Sequence, residues 1–186
     1  LCIIPIYNEE SRLKSLIEKI YKFKNEDVNK IDFMAINNGS NDGTEKLLKD
    51  SDLSFITLKK NKGIGYSLLL GLKLAAKKKY DILIHMAGNN KMTPFDINKM
   101  VDPIINNNYD YVCGSRFLEK KNYVTNPLFR KIAIKLMSIF FSLVFKRKIT
   151  DATCGFRAFK VKKLIKYFIF LNKKKYYTYG YEYYSY

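Results

Sequence analysis

The sequence predicts an α/β fold, a three-layer sandwich in which helices cover both faces of a mainly parallel β-sheet. Short apolar runs rich in β-branched and aromatic residues alternate along the chain with longer segments whose apolar residues follow helical spacing. The chain has 186 residues, of which 47% are hydrophobic, and this is enough to bury one core of ordinary size. We therefore predict a single domain over residues 1–186.

Five apolar runs are the predicted strands, and four amphipathic segments are the predicted helices. The strands are residues 1–6, 31–36, 53–58, 82–86 and 109–113. The helices are residues 9–24, 42–50, 64–79 and 95–107. Alternation of this kind implies right-handed crossovers between parallel strands, and ligands of such sheets bind at the carboxyl ends of the strands.

The segment NNGSNDGT at residues 37–44 follows the second predicted strand and needs tight turns. We predict positive φ angles at Gly39 and Gly43, with Asn41 or Asp42 capping the next helix. These residues suit a plain strand-to-helix turn as well as a ligand site, and both interpretations stay open.

Gly63 and Gly65 form a Gly-x-Gly pattern at the start of the third helix. The pattern lacks the third glycine of a dinucleotide-binding loop and does not follow the first strand. We therefore predict close helix packing at both glycines and no NAD site.

A loop without carboxylates, AGNNKMTP at residues 87–94, follows the fourth predicted strand. Ala87 has no ligand atom, and Asn89 offers one neutral carbonyl oxygen, whereas protein sites for Mg²⁺ usually use carboxylates. Lys91 carries an ammonium group that can bind phosphate as a point charge. The plainer interpretation of Lys91 is a solvated surface lysine.

Two arginines follow small or apolar residues in the second half of the chain, Arg116 after Gly-Ser and Arg157 after Gly-Phe. The planar guanidinium suits phosphate oxygens. The single histidine, His85, lies in a predicted buried strand, so we expect a packed core residue there. Asp151 is the best remaining carboxylate near these arginines, and we expect it to be an orienting or structural group.

Five blocks in order resemble the motifs of family 2 glycosyltransferases. They are IIPIYNEE at residues 3–10, NNGSNDGT at 37–44, NKGIGYSLLLG at 61–71, YVCGSR at 111–116 and ITDATCGFR at 149–157. The last two resemble blocks of the dolichyl- and polyprenyl-phosphate sugar synthases. The resemblance implies the GT-A fold, a Rossmann-like nucleotide-diphospho-sugar transferase fold. It also implies inverting transfer of a sugar from a nucleotide diphosphate sugar to a polyprenyl phosphate.

The resemblance also implies the residues of the site. The nucleotide-binding residues would be Pro5, Tyr7, Glu9, Asn37, Gly63 and Ala87. Asn89, Lys91 and Arg116 would surround the donor phosphates and the reaction centre as catalytic residues. Phosphate would be held by Ser115, Arg116 and Arg157.

The resemblance also bears on the metal. In this family an Asp-x-Asp pair after the fourth strand holds Mg²⁺ or Mn²⁺, and here Ala87 and Asn89 stand at its two positions. Asn89 is then a weak metal ligand at most. We favour donor binding that depends on metal weakly or not at all, although an ion can still arrive bound to the donor diphosphate.

Residues 126–147 predict an amphipathic helix at a membrane interface. Residues 132–145 are almost wholly apolar and have basic flanks, but the run is shorter than the roughly 20 residues that a bilayer span needs. The alternative is a core helix or a dimer interface. The net charge of +17 suits anionic lipid and phosphate ligands, and no nucleic-acid-binding motif accompanies it.

Three cysteines, an odd number without zinc spacing, imply reduced thiols and a cytosolic compartment. We interpret the chain as a fragment of a peripheral protein on the cytoplasmic side of a membrane, with a transmembrane segment beyond residue 186 left open. Two alternatives remain. One is a family 2 transferase with a glycan or another lipid, such as diacylglycerol, as acceptor, and the other is a catalytically silent GT-A domain that binds nucleotide.

Overall fold

The computed structural model describes residues 1–26, 31–118 and 127–171. The strands are β1 Cys2–Ile6, β2 Phe33–Asn37, β3 Phe55–Thr57, β4 Ile82–His85, β5 Tyr111–Cys113 and β6 Arg157–Lys160. The helices are α1 Glu10–Glu26, α2 Thr44–Lys49, α3 Ile64–Lys77, α4 Ile97–Asn106, α5 Leu128–Phe145 and α6 Val161–Leu171. A 3₁₀ turn, Pro94–Asp96, precedes α4.

The six strands form one sheet in the order β3-β2-β1-β4-β6-β5. The pairs β1–β2, β1–β4 and β2–β3 are parallel, whereas β6 runs antiparallel to both β4 and β5. All five predicted strands and all four predicted helices are present, with ends shifted by a few residues. The prediction of an α/β fold with a mainly parallel sheet is therefore confirmed, and β6 is an additional strand that was not predicted.

The core lies on both faces of the sheet, because alternate residues of each strand point to opposite sides. On β1, Cys2 and Ile4 belong to the cluster that packs under α1 and α4, whereas Ile3 belongs to the cluster under α3 and α6. Helices therefore cover both faces, as the predicted three-layer sandwich requires.

The close packing predicted at Gly65 is not found, and Gly63 has a backbone angle that accounts for its glycine. A Cβ atom on Gly65 would meet no atom within 4 Å, and Gly63 has a φ of 80°, which glycine adopts without strain. Close packing occurs instead at Gly71, where a Cβ atom would lie 2.3 Å from the Cδ1 atom of Ile3. Gly63 is thus required by its backbone angle, and Gly71 lets α3 approach β1.

His85 is buried at the end of β4, which agrees with its predicted place in the core. Burial, and then the positive charge of Arg157, lower the pKa of His85 from 6.5 to about 3. The imidazole is therefore neutral in the folded protein at neutral pH.

This burial predicts a loss of stability in mild acid. The pKa of His85 is lower in the folded than in the unfolded chain, so its contribution to stability is complete above pH 6.5 and falls as the pH decreases toward 3. One such group lowers the free energy of unfolding by up to about 1.4 kcal/mol per pH unit.

Urea unfolding between pH 7 and 4.5 measures this dependence, and we expect a loss of about 2.5 kcal/mol. Since His85 is the only histidine, His85→Asn should flatten the pH dependence in this range, whatever its effect on stability at pH 7. An equal pH dependence in both proteins would contradict the prediction.

Candidate active site at the carboxyl edge of the sheet

The loops after β1, β2 and β4 meet at one edge of the sheet. The backbone N–H of Asn38, just after β2, donates to the carbonyl oxygen of Ile6 at 2.8 Å. The N–H of Gly88, after β4, donates to the carbonyl oxygen of Pro5 at 3.2 Å. These bonds place the three loops side by side at the carboxyl ends of their strands.

The loop after β3 joins the same edge through Asn38. The side-chain carbonyl of Asn38 accepts the N–H of Lys62 at 2.9 Å, and its amide donates to Asn61 Oδ1 at 3.0 Å. Asn61 Oδ1 also accepts the N–H of Gly63 at 2.8 Å. Gly63, expected beside the nucleotide, therefore lies in a loop that is fastened to the end of β2.

The remaining part of the edge comes from β5 and β6. Because β6 is antiparallel, its first residue lies at the carboxyl ends of both neighbours, and Arg157 pairs with His85 of β4 and Cys113 of β5. The loop that carries Ser115 and Arg116 therefore begins where β6 starts. The edge brings together the loops of every block that the sequence singled out.

The β1 loop presents one exposed aromatic side chain. Tyr7 is 44% exposed, whereas the carboxylate of Glu9 is half-buried and forms an ion pair with Arg12 at 2.8 Å. The N–H of Glu9 donates to Thr44 Oγ1 at 3.0 Å, which ties this loop to α2. Tyr7 is thus the side chain of this loop with an open face.

Asn37, expected to contact a nucleobase, lies inside the loop after β2, and that contact stays a prediction. The Asn37 side chain is fully buried, with Oδ1 accepting the N–H of Ser40 at 3.1 Å and Nδ2 facing Thr57 Oγ1 at 3.4 Å. Asn37 therefore shapes the loop from inside. Gly39 has the predicted positive φ of 73°, but Gly43 has a φ of −69° and does not need glycine for that reason.

Gly43 is instead approached closely by the carboxylate of Glu10, a residue that the sequence did not single out. Glu10 Oε2 accepts the N–H of Gly43 at 2.9 Å, and a Cβ atom on Gly43 would lie 2.1 Å from the other carboxylate oxygen. The N-cap of α2 is Gly43, so the expected cap at Asn41 or Asp42 is displaced by one residue or more.

Asp42 nevertheless bridges the first residues of two helices. Its carboxylate accepts the N–H of Thr44 at 3.0 Å and the N–H of Glu10 at 3.1 Å. Burial alone would raise the pKa of Asp42, but the hydrogen bonds from Thr44 and Glu10 outweigh it and the pKa is lowered. The carboxylate therefore fixes the geometry of the edge by holding α1 and α2 together.

The loop after β4 holds its polar side chains in a tight turn. Asn89 Oδ1 accepts the N–H of Lys91 at 3.2 Å, and the N–H of Ala87 points to the sulfur of Met92 at 3.3 Å. Asn90 has a φ of 57°, and its side-chain oxygen accepts Lys19 Nζ of α1 at 2.9 Å. The Lys91 side chain is exposed at the surface of the turn.

These residues do not fit a protein-held Mg²⁺ or Mn²⁺ ion. Such ions take several oxygen ligands, usually with carboxylates among them. Asn89 supplies one neutral oxygen that already accepts a hydrogen bond, and Ala87 supplies none. Across residues 1–26, 31–118 and 127–171, no group of three or more His, Cys, Asp or Glu side chains is placed to hold a metal.

The best-defined ionic group of the site joins Arg116 to Asp151. Arg116 Nε lies 2.7 Å from Asp151 Oδ2 and one terminal nitrogen lies 2.9 Å from Oδ1, a two-point contact. The backbone N–H of Arg116 also donates to Oδ2 at 3.2 Å, and Thr153 Oγ1 accepts the same terminal nitrogen. The carboxylate is buried, whereas the Arg116 side chain remains 25% exposed.

The environment of Asp151 keeps it ionised. Burial on its own would raise the pKa of Asp151, but the hydrogen bonds and the charge of Arg116 outweigh burial and lower it. Asp151 therefore lies where the sequence placed an orienting group, and it directs the guanidinium of Arg116.

Arg157, expected as a phosphate ligand, lies at the start of β6. Its side chain is buried, with Nε donating to the carbonyl oxygen of Cys154 at 2.9 Å and a terminal nitrogen to that of Ala152 at 3.4 Å. The guanidinium is directed into its own loop, and the expected phosphate contact of Arg157 stays a prediction. Ser115 is half-buried, and its hydroxyl accepts the N–H of Phe117 at 3.3 Å.

The edge as a whole offers cations and hydrogen-bond donors to a ligand. Arg116 and Lys91 are at least partly exposed, and the ring of Tyr7 has an open face. The single histidine is buried and neutral, so it is not placed to carry protons to a ligand. This chemistry suits an anion such as a phosphate or diphosphate beside a planar group.

Comparison with known sequences gives a consistent result. Residues 1–168 match the family model described as "Glycosyl transferase family 2". The UDP-N-acetylglucosamine–dolichyl-phosphate N-acetylglucosaminyltransferase of Methanococcus voltae is 29% identical over 174 residues, covering 84% of this chain and 67% of the relative. The dolichyl-phosphate beta-glucosyltransferase of Dictyostelium discoideum is 28% identical, covering 84% of this chain and 52% of the relative.

Solved structures share the fold. Mannosyl-3-phosphoglycerate synthase from Rubrobacter xylanophilus superposes with a TM-score of 0.66 at 11% identity, over 87% of this chain and 53% of that one. Glucosyl-3-phosphoglycerate synthase from Mycobacterium tuberculosis, in complex with Mn²⁺, UDP and its product, gives 0.62 at 15% identity, over 87% and 56% of the two chains. The chain spans about half to two thirds of the length of the proteins it matches.

Proposed function

The chain belongs to glycosyltransferase family 2 and has the GT-A fold, and from this premise we propose that it transfers a sugar from a nucleotide diphosphate sugar to a polyprenyl phosphate. Membership confirms the resemblance expected from the motifs. The names of the sequence relatives support the choice of acceptor, because they include dolichyl-phosphate sugar transferases and a polyprenol monophosphomannose synthase. The observation that carries the proposal is the oriented Arg116 guanidinium at the sheet edge.

The acceptor supplies its own nucleophile in this reaction. A phosphate monoester is anionic at neutral pH, so one of its oxygens attacks the anomeric carbon without a general base. The new bond joins that oxygen to the anomeric carbon, and the bond from this carbon to the diphosphate breaks. The nucleoside diphosphate leaves with the electron pair. Attack from the face opposite the leaving group inverts the configuration, and the neutral, buried His85 is consistent with a reaction that needs no base.

Arg116 is assigned to the acceptor phosphate. Of the two arginines expected at the site, Arg157 is directed into its own loop and Arg116 remains partly exposed at the edge. Asp151 and Thr153 restrict the orientations of the Arg116 side chain. A guanidinium that is fixed before the ligand arrives loses less conformational entropy on binding, which favours a correctly oriented phosphate.

The donor diphosphate is assigned to the loop after β4. Lys91 is exposed next to Asn89, and an ammonium at this point can neutralise diphosphate oxygens as the nucleoside diphosphate leaves. Tyr7 offers an open ring face for the base or ribose. Since the residues do not fit a protein-held metal, we assign part of this charge stabilisation to Lys91.

Helix α5 is proposed to rest on the membrane that contains the acceptor lipid. Within α5 only Ile134 and Ser138 are buried, whereas Phe129 is 75% and Leu143 73% exposed. The other exposed large apolar residues of α5 are Leu128, Ile132, Leu136, Met137, Ile139, Phe140, Val144 and Phe145. A continuous exposed apolar surface of this kind marks a membrane or partner site.

The charges of the same segment favour an anionic lipid surface as the partner. Residues 128–148 contain six basic and no acidic residues. None of the helices in the described part of the chain combines the length and apolar character that a bilayer-spanning segment needs. The helix is Leu128–Phe145, slightly shorter than the expected 126–147, and residue 126 lies outside the described residues. Its exposure among the described residues favours the membrane-interface helix over the alternative of a core helix.

Charge reversal on this segment is expected to weaken membrane binding. The triple variant Lys131→Glu, Lys146→Glu, Arg147→Glu should reduce partitioning onto anionic vesicles by at least about two decades, because each cation near such a surface contributes about 1 kcal/mol. The fraction of protein that sediments with vesicles measures the effect. The vesicles contain about 30% phosphatidylserine, which gives a surface charge on the order of the physiological one.

The matched control reverses three exposed lysines of α3 and its C-cap, Lys73, Lys77 and Lys78, and so makes the same change in net charge. We expect this control to bind vesicles more tightly than the α5 variant by at least about tenfold. Equal losses in both variants would assign the binding to net charge alone. A stable dimer that covers α5 and abolishes vesicle binding would reject the membrane role.

A competition between acceptors tests the proposed function. The full-length protein is incubated with polyprenyl phosphate, diacylglycerol and a soluble glycan, together with a panel of labelled UDP- and GDP-sugars. The proposal requires that label enters the polyprenyl phosphate with one of the donors. Label in diacylglycerol or glycan would support a different acceptor, and donor binding without transfer to any acceptor would indicate a catalytically silent domain.

A further inference from the structure

The inner side of α5 carries two serines that bind the loop between α5 and β6. Ser138 and Ser142 are four residues apart, so they lie on the same side of the helix. The Ser138 hydroxyl donates to the carbonyl oxygen of Ile134 at 2.8 Å and accepts the N–H of Ala152 at 3.1 Å. The Ser142 hydroxyl accepts the N–H of Ile149 at 2.9 Å.

These two hydrogen bonds enclose the residue that orients Arg116. Asp151 lies between Ile149 and Ala152, and its carboxylate makes the two-point contact with the guanidinium. Thr153, directly after Ala152, bonds to both Asp151 and Arg116. Two sets of hydrogen bonds therefore connect α5 to the Arg116 side chain. The first joins the serines to the backbone of the loop, and the second joins Asp151 to the guanidinium.

The attachment of α5 to the rest of the domain depends strongly on these serines. Within the described part of the chain, Ile134 is the only large apolar side chain of α5 that is buried; Phe141 is half-buried, and the other large apolar side chains of the helix are exposed. Few apolar contacts thus fix the position of α5 against the loop. The direction of the loop, and with it Asp151, follows the position of the helix.

We propose that Ser138 and Ser142 are positioning residues that couple α5 to Arg116, so that contact of α5 with a lipid surface further stabilises the observed arrangement of residues 149–153, in which Arg116 is oriented for the acceptor phosphate. This inference rests on the proposed function and adds a means by which the membrane acts on the site. The coupling makes the site most competent where the acceptor is found. The coupling should affect binding of the acceptor and not binding of the donor. Lys91 and Tyr7, which are assigned to the donor, lie on loops to which the serines make none of these hydrogen bonds.

Alanine substitution of both serines tests the coupling. Alanine is a better helix former than serine, so the double variant Ser138→Ala, Ser142→Ala should keep α5 helical. With polyprenyl phosphate in anionic vesicles, we expect the KM for the acceptor to rise about tenfold, which corresponds to about 1.4 kcal/mol, while the KM for the nucleotide sugar changes less than twofold. Ser138→Thr retains a hydroxyl. It should therefore restore most of the acceptor affinity that is lost in Ser138→Ala.

Ser67→Ala is the matched control. Ser67 is a fully buried helical serine of α3, and its hydroxyl has no hydrogen-bond partner within the part of the chain that the structure describes. Its removal should leave both KM values within twofold of the wild type. An equal rise in both KM values for the α5 double variant, or a rise in acceptor KM for Ser67→Ala of the same size, would overturn the inference by showing a general structural effect.

Hydrogen exchange gives a second readout that does not depend on turnover. Anionic vesicles should slow exchange at the amides of Ile149 and Ala152 at least threefold in the wild type and leave it unchanged in the double-alanine variant. Wild-type exchange that is unaffected by bound vesicles would overturn the coupling, even for an active enzyme. Absence of product with any acceptor, together with slowed exchange, would reject the proposed transferase function and retain the coupling of α5 to the loop.

Discussion

Arg116→Gln is expected to lower kcat/KM for sugar transfer by roughly one to two decades and to destabilise the protein by about 3–5 kcal/mol. The two effects have different causes. The loss of activity follows from a lost charge-assisted contact with phosphate, whereas the loss of stability follows from the buried Asp151 carboxylate, which loses its partner. Steady-state kinetics and urea unfolding measure the two effects separately.

The double variant Arg116→Gln, Asp151→Asn distinguishes a ligand-binding role of Arg116 from a structural one. Removing both charges leaves no unpaired buried ion, so much of the stability should return. Activity should remain low, because the guanidinium is still absent. Recovery of activity along with stability would contradict the assignment of Arg116 to phosphate. Arg116→Lys retains the charge without the planar fork, and we expect an intermediate activity.

Lys91→Met is expected to reduce donor binding or turnover by roughly one to two decades, because one charge-assisted contact with phosphate contributes about 1.5–3 kcal/mol. EDTA should have only a mild effect on the wild type, since Ala87 and Asn89 provide no carboxylate for a metal. The measurements are KM and kcat for the nucleotide sugar with and without EDTA.

Lys73→Met is the control for this prediction, because Lys73 is an exposed lysine of α3 outside the site loops. It should retain full activity. Abolition of activity by EDTA with Lys91→Met near normal would falsify the role of Lys91 and indicate that a metal bound with the donor performs this task.

Three of the five predicted strands have the clearest apolar pattern. β1, β2 and β4 are buried on both faces, and such strands are visible as apolar runs whatever their neighbours. β6, with the sequence RAFK, has a charged residue at each end and only two apolar residues between them. It is a strand because β4 and β5 pair with it from both sides, which is information that a local pattern does not contain.

The sequence predicted which loops form the site, but it predicted the directions of individual side chains less well. The blocks do lie at one edge, because parallel strands bring their carboxyl ends together. The motif does not show which way a side chain points, and Asn37 and Arg157 both point inward. Glu10 and Lys19 were missed because their partners, Gly43 and Asn90, are distant in sequence and the contacts depend on the tertiary fold.

The most direct test of the account is the chemical identity of the product. Full-length protein, labelled nucleotide sugar and polyprenyl phosphate in anionic vesicles are incubated, and the lipid fraction is analysed by mass spectrometry. The account predicts a lipid whose mass equals polyprenyl phosphate plus one sugar less water, with the sugar attached through its anomeric carbon to the phosphate in inverted configuration. A labelled lipid without the phosphate link, or free sugar as the only product, would contradict it.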